Sequence, residues 1–134
     1  MQGASAIEDL LKSMPDRDLR VFVVWEPVLD SDTGPPGDKA QARVTDPRAR
    51  QYWDAKLRLS EAARKTLLKD PAPVIGKESL VTGEIVWDFI ALFPPGVTWK
   101  GDFPVPAFKG APVVDVIPAL RKTLLLRDPT VTNR

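Results

Sequence analysis

Arg20-Val21-Phe22-Val23-Val24-Trp25-Glu26-Pro27 holds five consecutive apolar residues, each of them β-branched or aromatic. A run of this kind, without alternation, predicts a strand covered on both faces, as in the interior of a parallel sheet. Pro27 has no amide hydrogen to give to a ladder and ends it. Such a strand needs helices on either side, and the flanking sequence offers them.

Upstream, Ser5-Ala6-Ile7-Glu8 has the S-x-x-E form of a capping box, and Ile7, Leu10, Leu11 and Met14 follow at helical spacing. Pro15 stops that helix. Downstream, residues 30–38 (Asp-Ser-Asp-Thr-Gly-Pro-Pro-Gly-Asp) read as a loop, with Asp38 placed to cap a short helix over 39–44. Residues 47–69 admit two readings, one long helix from Pro47 or a strand followed by a helix. The paired aromatics Tyr52-Trp53 and the capping type of Asp54 favour a strand near 50–53 and a helix from Ala55 to about Lys69.

Asp70-Pro71-Ala72-Pro73 breaks that helix, and 71–83 read as a surface connection. Glu84 to Phe93 predicts a second strand, with Ile85, Trp87, Phe89, Ala91 and Phe93 on one face and Val86, Asp88, Ile90 and Leu92 on the other. Pro94-Pro95-Gly96 is a turn after which 97–99 are expected to fold back antiparallel. A short edge strand is expected near Phe108. The last helix should run from about Val114 to Arg127, with Asp115 as cap and Pro118 in the first turn, where its missing donor costs nothing. Residues 130–134 are expected to form a flexible tail. The alternation indicates an α/β fold, a mixed central sheet of about four strands with flanking helices, in a single domain spanning 1–134.

This layout resembles the thioredoxin-like superfamily, in an uncharacterised cysteine-free bacterial branch. The segments that carry the resemblance are Val21–Trp25, Tyr52-Trp53-Asp54 and Ile85 through Gly96. It implies a three-layer sandwich covering residues 5–127 in outline. It does not imply the superfamily's chemistry. Where a redox relative would place a cysteine after the first strand, this chain reads Glu26-Pro27-Val28-Leu29-Asp30-Ser31-Asp32. Where the superfamily sets a cis proline before the third segment, it reads Thr82-Gly83-Glu84.

Neither cysteine nor histidine occurs among the 134 residues. That removes thiolate nucleophiles, disulfides and the commonest general base and metal ligand. No cofactor and no metal are expected. Nineteen basic residues against 18 acidic ones, scattered along the chain, argue against nucleic-acid binding, which needs a concentrated basic patch. No apolar run approaches the roughly 20 residues of a membrane span. The N-terminus lacks a basic start followed by an apolar core, so a cytoplasmic location is expected unless a leader was removed.

Carboxylates therefore dominate the candidate site. Glu26 lies at the carboxyl end of the predicted central strand, the edge where open α/β sheets bind ligands. Asp30 and Asp32 follow it, although Asp-x-Asp-x-Gly is only part of a calcium-loop pattern. Asp88, between Val86 and Ile90, is expected to be partly buried, either as a general acid or base or, more plainly, as a hydrogen-bonded structural group. Trp99 is the tryptophan expected to be exposed. Together Glu26, Asp30, Asp32, Asp54, Asp88 and Trp99 mark a candidate ligand or partner site.

Two functions follow. One is a non-catalytic domain that binds a protein partner or small ligand. The alternative is a carboxylate-based hydrolase or lyase using Glu26, Asp54 and Asp88, since paired carboxyl groups run acid–base chemistry without histidine. A weak homodimer is expected through apolar helix surface or the Trp99 region. Pro104, Pro106 and Lys109 are expected to blunt the edge strand around 102–109.

Overall fold

The computed structural model describes residues 2–29 and 31–127; Asp30 and the expected tail at 130–134 lie outside them. Its elements in chain order are α1 (Gln2–Ser13), β1 (Val21–Trp25), α2 (Asp38–Gln41), β2 (Ala49–Trp53) and α3 (Arg58–Leu67). There follow β3 (Ile75–Gly76), α4 (Ser79–Thr82), β4 (Ile90–Leu92), β5 (Phe108–Ala111) and α5 (Val113–Leu126). The mixed α/β character expected from the sequence is present. Residues 47–69 are strand plus helix.

In place of one four-stranded sheet, the described residues form two small ones. β1 and β2 pair in parallel with register Val21↔Ala49 through Trp25↔Trp53. The second sheet has order β3-β5-β4, with β5 parallel to β3 and antiparallel to β4. The expected ten-residue strand shrinks to three because Asp88 sits at φ 50, outside extended geometry, so pairing begins only at Ile90. β5, expected at an edge, is the central strand and wholly buried. Residues 97–99 form no strand; the antiparallel partner of β4 is β5 instead.

Three apolar clusters hold the elements. Leu10, Phe108, Val116, Leu120 and Leu124 join α1 and α5 to β5. Ala63, Leu67, Val81, Phe103 and Ala111 join α3 and α4 to the opposite side of that sheet. Ile7, Leu11 and Val113 collect Val21, Ala49 and Ile90, so side chains of both sheets meet under α1 and α5. At β3 the backbone itself makes the fit. Gly76 has φ 87, and a Cβ there would lie 2.1 Å from the Ala111 carbonyl oxygen, which accepts a bond from the Lys77 amide at 2.7 Å.

Four helix starts differ from the sequence reading. α2 begins at Asp38 itself, with Gly37 at the cap position and no side-chain cap, and spans only four residues; α3 begins at Arg58, not Ala55, because Leu57 turns left-handed. α1 begins at Gln2, so Ser5 is interior and no capping box forms. Glu8, buried, instead accepts bonds from the Thr45 amide (2.9 Å), the Thr45 hydroxyl (2.5 Å) and the Asp46 amide (3.1 Å). α5 begins at Val113, which puts Pro118 beyond the first turn and Asp115 inside it. Among the described residues no helix is long and apolar enough to cross a membrane.

Candidate functional site

Parallel register places Glu26 and Asp54 side by side, each one residue beyond the carboxyl end of its strand. The Asp54 amide closes the ladder by donating to the Trp25 carbonyl at 2.8 Å. Its side chain then starts α3. Leu57 turns left-handed at φ 55, and the Leu59 amide donates to Asp54 Oδ2 at 2.7 Å, satisfying one of the orphan donors of the first turn.

Ser60, one residue further into α3, is almost fully buried at 1% exposure. Its hydroxyl donates to Glu26 Oε2 at 2.7 Å and accepts from the Val86 amide at 3.2 Å. This short chain ties the end of β1 to α3 and to the segment leading into β4. Burial pushes the half-buried Glu26 carboxyl above its usual value; the Ser60 hydroxyl opposes that and the neighbouring Asp54 charge adds to it. The result is a carboxyl group held above its usual range beside a second acidic side chain.

The other expected site residues do not join this pair in any hydrogen-bonded cluster. Asp32 is exposed, and its Oδ2 accepts the Val28 and Leu29 amides at 3.1 and 2.9 Å, closing the loop after β1. Asp88, expected to be partly buried in a strand, is exposed; the left-handed backbone swings it out, and its Oδ1 accepts the Val113 amide at 3.2 Å, at the start of α5. Trp99 is 49% exposed, packs edge-on against Phe103 with ring centres 5.1 Å apart, and donates its indole N–H to the Gly101 carbonyl at 3.1 Å. Among the described residues no group of three or more acidic side chains converges as a metal would need.

Several groups escaped the sequence reading. Lys109, taken as an edge blunter, is buried and paired with Asp70 at 2.9 Å, with side-chain exposures of 3% and 5%. The Ala72 amide and Lys109 hold the Asp70 carboxyl below its usual range. A cavity of about 100 Å³ opens beside this pair, lined by Leu67, Val81 and Thr82 among others. A shallower hollow of about 400 Å³ lies next to it, along Lys65, Lys69 and Val105. Neither includes Glu26, Asp54 or Asp88. Arg48 uses its whole guanidinium fork, reaching Asp46, and the carbonyls of Leu11, Met14 and Arg17 at the end of α1, at 2.7–2.9 Å. A lone lysine among prolines and a lone arginine in a turn carry no sequence signature for such roles.

One surface stands apart. On the outward face of the β1–β2 pair, Phe22 is 63% and Tyr52 48% exposed, with ring centres 6.2 Å apart and Arg50 exposed beside them. No family model, curated protein or solved structure matches the chain.

Proposed function

We propose that this chain is a redox-silent binding module of thioredoxin-like layout, cytoplasmic, which recognises a protein partner or small ligand with its β1–β2 unit. The observation that carries the reading is the use made of the carboxyl end of β1. There the groups present are Glu26, Asp54 and Ser60, each committed to a hydrogen bond within the chain, with no thiol or imidazole to react. The exposed aromatic face beside them has the composition of a recognition surface. Insulin reduction by dithiol and peroxide consumption, assayed on the purified chain, should both equal the buffer rate. Turnover above buffer in either would overturn the reading.

A second reading keeps the carboxylate enzyme in play on one observation, the raised Glu26 carboxyl beside Asp54. It drops Asp88 from the catalytic set, because that side chain is engaged at the start of α5. The behaviour of Glu26→Gln, argued below, separates the two.

A further inference from the structure

The hydrogen-bond phase of β2 determines which of its groups remain to be paired. The Val21 amide donates to the Arg48 carbonyl at 3.0 Å, and the Trp25 carbonyl accepts from the Asp54 amide at 2.8 Å. With this register, the backbone groups of Arg50 and Tyr52 turn toward β1 and those of Ala49, Gln51 and Trp53 turn away. The Ala49 amide is taken by the Asp46 carbonyl at 3.0 Å. The Gln51 and Trp53 amides have no acceptor in the chain, among the described residues, and β2 pairs with no second strand. Nothing in Ala49–Trp53 blunts it by proline, lysine or bulge.

We propose that the partner of this edge is a second copy of the chain, the two β2 strands pairing antiparallel about a two-fold axis at Gln51. The inference names a partner for the binding module, but the thiol assays and the experiment below fail independently of one another. The strand is self-complementary in this arrangement. Each Gln51 exchanges both backbone bonds with its counterpart, and each Trp53 amide meets the Ala49 carbonyl of the second copy. On the outer face, Arg50 then lies opposite Tyr52 of the second copy, twice by symmetry. These are non-hydrogen-bonded positions, where Cα atoms approach to about 4.5 Å and a guanidinium can lie over a phenol ring. On the inner face the small Ala49 faces the large Trp53. Centring the pair on Arg50 or Tyr52 would require backbone groups already bonded to β1. Centring it on Ala49 would set Arg50 against Arg48 of the second copy. The favoured register joins two marginal two-stranded sheets into one of four strands, with Phe22 and Tyr52 of both copies along one face.

Sedimentation velocity on the full chain across a concentration series tests this. A reversible dimer is expected. Tyr52→Lys, an exposed site, sets lysine against arginine twice and should raise the dissociation constant at least about tenfold. Adding Arg50→Glu to that variant recreates opposite charges and should restore the dimer. Trp99→Ala should leave it unchanged. Circular dichroism checks folding; should Tyr52→Lys not fold, Arg50→Glu alone removes the cation–π pairs and should weaken the dimer in the same direction. A monomer at every concentration, indifference to the changes at 50 and 52, failure of the double variant to restore, or dissociation by Trp99→Ala would each overturn the proposal.

Discussion

Sheet β1–β2 leaves Phe22 and Tyr52 exposed, whereas every residue of β5 in the other sheet is buried. The β1–β2 half is tied down mainly by directional polar bonds. Glu8 of α1 receives the Thr45 and Asp46 amides, and Arg48 gathers carbonyls at the end of α1. In the β3-β5-β4 sheet the central strand β5 is enclosed by apolar side chains of α1, α3, α4 and α5, while the short edge strand β3 is exposed, and β5 carries the buried ion pair Lys109–Asp70. Polar anchors hold an element from one side and leave its other face free. Apolar enclosure needs contact on both faces. The open half is thus the one suited to meet a partner, and the closed half the one on which stability should chiefly depend.

The largest effect expected from this contrast lies at Lys109. Methionine there keeps the volume of the stem but leaves the Asp70 carboxylate buried without its cation, a loss of about 3–5 kcal/mol. Adding Asp70→Asn removes the stranded charge and should recover much of that. Urea unfolding of the two variants reads both numbers. A loss at Lys109 smaller than the loss at Arg48 would reverse the assignment of the closed half as the stability-determining one.

Arg48→Lys comes next. Lysine keeps the charge but not the planar fork that spans Asp46 and three carbonyls, so a cost of about 2 kcal/mol is expected. Its pH dependence has a definite sign. The Arg48 side chain, helped by its backbone amide, holds the Asp46 carboxyl down to about 2 from the usual 3.8, so the Asp46 part of the wild-type advantage is complete above 3.8 and lost as pH falls toward 2. Melting curves of the two proteins should therefore draw closer in acid, leaving the part carried by the three carbonyls. Curves that stay parallel through that window would mean that Arg48 acts through its carbonyl contacts alone.

What the sequence disclosed follows the same division. β1, α1, α3 and α5 were legible as elements from apolar runs and helical spacing, and β2 from Tyr52-Trp53 and the capping type of Asp54. The cover on both faces expected for Val21–Trp25 is not there: the strand belongs to a two-stranded sheet and Phe22 is 63% exposed. The pairing of Glu26 with Asp54 was half legible: both were singled out, but only the parallel register brings them together. Ser60, Lys109 and Arg48 were not legible, because their roles come from contacts 26 to 39 residues away along the chain. Asp88 misled for a local reason. Alternation implied an extended backbone, and a single left-handed residue cancelled it.

The smallest expected effect is at Glu26, and it bears on function most closely. Its carboxyl is raised above the usual 4.5, so the folded state holds the proton more tightly than the unfolded chain does. Its contribution to stability is full below 4.5 and is lost as pH climbs through the raised value. Glutamine has the same size, never ionises, and can still accept the Ser60 hydroxyl through its amide oxygen. Glu26→Gln should therefore melt with the wild type in acid and gain about 2 °C at neutral pH. A gain accompanied by no change in partner binding marks Glu26 as a structural carboxyl in a binding module. A gain accompanied by loss of hydrolysis of ester or glycoside substrates would favour the carboxylate enzyme, whose working group is held at a cost in stability. A loss of melting temperature at neutral pH would contradict both, since it would mean that the ionised carboxylate is what Ser60 and its surroundings are built to hold.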